Sequence, residues 1–150
     1  MLTYILNQIP PGPRRRAKIA IPTHLKANGR FLFYGFDISL EWLIDYARQS
    51  WGEGVDQYEH TAKVNNGVRA LRLRTGINRM ALESGLVDST LPAGTITITG
   101  GREVPLLSIF SNERSSYERR PSQAQIDELS QILGKQPRWW IDYEDPRSYQ

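Results

Sequence analysis

Two hydrophobic periods alternate along this chain, and no single run can bury its own apolar side. Residues 30–36 (Arg-Phe-Leu-Phe-Tyr-Gly-Phe) are an aromatic run with the two-residue alternation of a strand. A helical period follows at once. Ser39 stands at the N-cap position, and Leu40, Leu43, Ile44, Ala47 and Trp51 recur along one side. Glu41, Asp45, Arg48 and Gln49 take the other side, and Gly52 and Gly54 end the pattern. A strand and a helix that each carry one apolar side must pack against each other, so the chain is constrained to a layered fold.

The remaining segments extend this plan. Asn28-Gly29 is a two-residue turn signal, which predicts a hairpin of 18–22 with 30–36, Pro22 holding the first strand to a sheet edge. His60, Val64, Val68 and Leu71 share a helical stripe over 59–74, with Gly76 as its stop. Asn65-Asn66-Gly67 weakens that helix in the middle and could instead turn between two short strands, but the helix over 59–74 is the favoured reading. Residues 77–84 read as a further short helix ended by Gly85. The run 95–99 alternates, Gly100-Gly101 turns, and 104–110 returns as a second hairpin strand. Residues 111–121 are a polar surface loop. Ser122 and Gln125 form a capping box ahead of Ile126, Leu129, Ile132 and Leu133, and Gly134 closes that helix. Trp139, Ile141 and Tyr143 then alternate with Trp140, Asp142 and Glu144. The expected fold is a single two-layer α+β domain. Its mainly antiparallel sheet comes from hairpins at about 18–36 and 95–110 plus a C-terminal strand, and helices at about 39–51, 59–74 and 122–133 pack on it.

Composition narrows the chemistry. A chain of 150 residues with 39% apolar content can build one core, and with no cysteine it has no disulfide, thiol nucleophile or thiolate metal site. No apolar window is long enough to span a bilayer. The Arg cluster follows the apolar start, the reverse of a secretory signal, so a soluble protein of the cytoplasm is expected, with the nucleus open by diffusion.

Charge is laid down in blocks. Residues 1–30 hold six basic residues and no acid, 31–60 hold one Arg against six acids, and 61–80 are again purely basic. Fifteen of the nineteen basic residues are Arg, the side chain best suited to bidentate contact with phosphate. Arg14, Arg15 and Arg16 lie in a Pro/Arg-rich arm or loop over 10–17, and Arg69, Arg72 and Arg74 lie on the second helix. These six are the nucleic-acid candidates. Pairing with the acidic block explains them equally well.

Catalytic templates are missing: the chain has no nucleophile elbow, no phosphate loop and no paired histidines, and no metal or cofactor is expected. His60 beside Glu59 is the best acid–base grouping, against a plain reading of His60 as a half-buried helix residue. His24 lies alone. Asp142 with Glu144, or Asp37 with Glu41, could pair as carboxylates but fit a solvated face as well. Arg138, Trp139, Trp140 and Tyr143 place aromatics on both faces of one strand, and Trp42 with Tyr46 widens the first helix's apolar side. The leading expectation is a non-enzymatic interaction domain that meets a protein partner, or itself, through Trp139, Trp140, Tyr143, Arg138 and Trp42. Replacing Trp140 would then spare the fold. Nucleic-acid binding is the alternative, and an enzyme using His60 comes third.

Overall fold

The aromatic run becomes strand β1 (Leu32–Asp37), and Ser39 caps helix α1 (Leu40–Trp51) by accepting from the Trp42 N–H at 3.4 Å. Glu41 in the first turn and Arg48 in the last complement the helix dipole, and Leu43, Ile44 and Ala47 are buried. A computed structural model describes residues 15–23, 29–86 and 103–144. After α1 come a 3-10 turn (Glu53–Gln57) and α2 (His60–Thr75). Strands β2 (Ala81–Leu86) and β3 (Glu103–Ser111), helices α3 (Arg114–Glu118) and α4 (Gln123–Leu133), and strand β4 (Arg138–Ile141) complete the order.

Helix α2 runs straight through Asn65-Asn66-Gly67, because Gly67 is where it meets α1. A Cβ built on Gly67 would stand 2.2 Å from the Leu43 carbonyl oxygen. The glycine costs helix propensity and gains a backbone-to-backbone approach that no larger residue allows. Val64, Val68 and Leu71 are buried beside it, and Gly76 in the left-handed region (φ 75°) ends the helix.

Three sequence expectations are corrected here. Residues 77–84 do not form a helix: the chain extends into β2, which pairs residue for residue with β3 from Ala81↔Ser108 to Leu86↔Glu103. Gly85, read as a helix stop, is a close-packing point inside that strand, since a Cβ there would meet Leu106 Cδ1 at 2.5 Å. Residues 18–22 do not pair with β1, because both edges of β1 are taken by β3 and β4. The segment is held instead by side chains of α3 and β4, the Tyr117 hydroxyl donating to the Ile19 carbonyl and the Trp139 indole N–H to the Ala20 carbonyl at 3.1 Å, while Ala17 just before it donates to the Pro121 carbonyl at 2.9 Å. The loop 111–121 contains the short helix α3. The run 95–99 lies outside the described residues.

The described strands make one antiparallel sheet in the order β2-β3-β1-β4. Helices connect β1 to β2 and β3 to β4, each time skipping one strand, which is the split β-α-β plan. The main core lies between the sheet and α1, α2 and α4, with Phe36, Leu43, Leu71, Leu107 and Leu129 at its centre.

The two outer strands then meet. Gly85 and Asp142 form an antiparallel bridge, and the Tyr143 N–H donates to the Ser84 carbonyl at 2.9 Å. The buried Arg30 guanidinium donates to the carbonyls of Asp142, at 2.9 Å, and Tyr143. Leu32, Leu86 and Ile141 form a second small cluster. Asp142 is 4% exposed, and burial pushes its carboxyl up, with the Glu144 charge adding. The Glu144 N–H and Arg30 oppose that shift in part. Glu83 is also raised, by shielding from solvent and by the charges of Asp142 and Glu144.

Two predictions follow from this packing. Gly67→Ala should lower the urea midpoint with an unchanged m-value, at a cost of about 2 kcal/mol, although alanine is the better helix former. The raised Asp142 carboxyl opposes folding at neutral pH, and that opposition is relieved as pH falls through its raised folded-state pKa towards the ordinary carboxylate value. Asp142→Asn should therefore raise the melting temperature at pH 7 relative to wild type, and the gap should close towards pH 4, as read by melting curves across pH.

Candidate functional site

The C-terminal aromatic strand is not an exposed binding face. Trp140 is 3% exposed, its indole N–H donates to the Gly35 carbonyl at 3.1 Å, and the Arg138 guanidinium lies 3.3 Å from its ring centroid. This corrects the expectation of an exposed Trp140: the curl of the sheet encloses that side. Arg138 is partly buried, which lowers its pKa, while the Asp37 charge works the other way. Trp139 is half-buried on the helix side, edge-on to Tyr34 and Phe110, with its indole N–H donating to the Ala20 carbonyl. Tyr143 is 39% exposed. Trp42 stacks on Tyr46 with centroids 5.2 Å apart and packs at the edge of the main core.

The acid–base grouping also comes apart. His60 is the first residue of α2, its exposed ring Nε2 3.6 Å from Glu41 Oε1, and Glu59 is the helix N-cap without a side-chain bond. Asp37 sits 3.5 Å from Lys135, so Asp37 and Glu41 have separate partners. Asp142 is buried and accepts from the Glu144 N–H, so that pair is not a solvated face. Among the described residues no cluster of three or more His, Asp and Glu can hold a metal. No described helix is long and apolar enough to cross a membrane. His24 and Arg14 lie outside the described residues.

The second-helix arginines divide between structure and surface. Arg72 donates to the Met80 carbonyl at 2.9 Å and so fixes the turn from α2 into β2. Arg74 pairs with Glu128 on α4 at 3.3 Å. Arg69 lies 5.7 Å from the Trp51 ring centroid. The arm behaves differently: Arg16 bridges to Ser122 and donates to the Arg120 carbonyl at 2.9 Å, while Arg15 is exposed.

Arg16 opens onto a pocket of about 380 Å³, which two further arginines also line. Arg79 comes from the turn after α2 and Arg119 from the end of α3, with Asn78 and Gln125 beside them and no carboxylate in the lining. Arg79 and Arg119 are exposed, and among the described residues neither guanidinium has an ion-pair partner. Gln125 is held by the Ser122 capping box and donates to the Thr75 carbonyl. Helix α4 begins at the pocket while α2 and the short α3 end there, so the positive charge of the pocket comes from the three arginines. Neither Arg79 nor Arg119 is among the arginines that the sequence pattern singles out. Nothing local marks Arg119, which sits in a polar stretch of mixed charge.

A second concavity, of about 360 Å³, lies where α1, the 3-10 turn and α2 meet. Trp51, 45% exposed, and Tyr58, 57% exposed, line it with Gln57, Asn66 and Arg69. The helical period places Trp51 on the apolar side of α1. Its place on the last turn, just before Gly52, carries it past the core, and its indole N–H donates to the Asn66 carbonyl at 3.0 Å. Arg48 binds Asp45 at 2.6 Å and Asp56 at 2.8 Å, which ties the 3-10 turn to α1 and places Tyr58.

No protein-family model matches this chain, and neither the curated proteins nor the solved structures contain a match, so the two concavities are read from their own chemistry.

Proposed function

We propose that this chain is a non-catalytic binding module for nucleic acid, held chiefly through the phosphate backbone. The observation that carries this reading is the convergence of Arg16, Arg79 and Arg119 on one pocket whose lining holds no carboxylate. An arginine cluster without acids attracts anions, and a guanidinium fork fits phosphate oxygens in pairs. Arg15 beside Arg16 and Arg69 on α2 extend the exposed positive charge beyond the pocket, which suits a ligand with several phosphates better than a single small anion. Interaction with a protein partner through Trp139 and Trp140 is the weaker reading, because the burial of Trp140 removes its anchor. His60, exposed at the start of α2 with Glu41 3.6 Å away, lends the enzymatic reading little support.

The test is binding of fluorescent oligonucleotides across a salt series. Affinity should fall steeply with salt, and the double variant Arg79→Ala/Arg119→Ala should bind about tenfold more weakly at 0.1 M salt, with the log–log salt slope shallower by about two. Its melting temperature should stay near wild type, since neither guanidinium pairs within the described fold. Absence of binding at low salt, or a double variant that binds as wild type does, would overturn the reading.

A further inference from the structure

We infer that the groove between Trp51 and Tyr58 receives one unpaired base of a single-stranded ligand; this deepens the nucleic-acid reading and rests on it. Large aromatic rings are normally buried, as Phe36 and Trp140 are here, yet these two lie about half open on the walls of one groove. The Trp51 ring is held in place by its bond to the Asn66 carbonyl, so its open face is offered without a further ordering cost. The Arg69 guanidinium stands over the same ring and adds a cation that can stack on a base or meet its phosphate.

The rim is as informative as the walls. Gln57 and Asn66 contribute carboxamides, each with donors and an acceptor, and the lining contains no carboxylate to repel a phosphate. Asp56 on the 3-10 turn is already held by Arg48, and Glu53 and Glu59 adjoin the lining at Gly54 and Tyr58 without being part of it. Flat aromatic faces, a stacked guanidinium and carboxamide edges are the groups that hold a base removed from its helix. A duplex keeps its bases stacked inside and presents none to such a groove. Arg69 is six residues from the end of α2 at Thr75, about 9 Å of helix rise, and the arginine pocket begins just beyond. One strand of about 16 nucleotides, the upper range for a small single-strand module, is long enough to engage both places.

Three probes of that length separate the possibilities: a single strand, the same sequence as a duplex, and a sugar-phosphate strand without bases. Wild type should bind the single strand about tenfold more tightly than the abasic strand, with tryptophan emission quenched only by the strand that carries bases. Tyr58→Ala, at an exposed side chain that bears no structural bond, should bring the single strand down to the abasic level and leave abasic binding unchanged. Tyr58→Phe should retain the preference. Equal binding of single and abasic strands, tighter binding of duplex, or an unaffected Tyr58→Ala would overturn the groove assignment while backbone binding stands. If no probe binds, the nucleic-acid reading falls and the groove assignment with it.

Discussion

The contact between Gly67 and the Leu43 carbonyl sets the spacing on which both concavities depend. It lets α2 lie directly on the backbone of α1, so the two helices form one slab over the sheet. At one end of that slab the approach brings the Asn66 carbonyl within reach of the Trp51 indole and defines the aromatic groove. At the other end α2 finishes at Gly76, Arg72 fixes Met80, and Arg79 is delivered to the pocket edge. A side chain at position 67 would push the helices apart and shift every one of these groups.

The curl of the sheet decides which aromatics are available. In a flat four-stranded sheet β2 and β4 would be distant edges. Here they bridge at Gly85 and Asp142, with Arg30 holding the Asp142 and Tyr143 carbonyls beside the closure. Glycines at positions 35 and 85 make room for it, one against the Leu107 carbonyl and the other against the Leu106 side chain. The result encloses Trp140 and an acidic side chain together, and Asp142 accordingly has a raised pKa. Closure also protects strand edges that would otherwise pair with other chains.

The basic blocks of the sequence resolve into two kinds of arginine. Arg30, Arg72 and Arg120 spend their donors on carbonyls of the fold, and Arg48, Arg74 and Arg114 on acids. Arg79 and Arg119 do neither, and they are set beside Arg16 by three separate segments of chain. Net charge alone could not make this distinction, because it depends on which acids the fold brings near each guanidinium.

Local signals in the sequence were sufficient for β1, α1 and α4: alternation, helical period, the Ser39 cap and the Ser122 capping box act over a few residues and need no distant partner, whereas α2 continues through Asn65-Asn66-Gly67 where Gly67 meets α1. The same holds for the α+β class, since one-sided elements must share a core. What the sequence could not settle were matters of partnership. Residues 81–86 carry weak helical and weak strand signals alike, and the open edge of β3 made them a strand. Segment 18–22 alternates like a strand but found β1 already paired on both sides. Sheet closure buried Trp140 and the end of a helix exposed Trp51, although the periodicity of the two segments suggests the reverse. Arg79 and Arg119 are forty residues apart and became one site only through the packing of α2 against α4. Secondary structure is written in short-range periodicity, whereas exposure and convergence depend on contacts between residues far apart in the chain, which only the tertiary structure supplies.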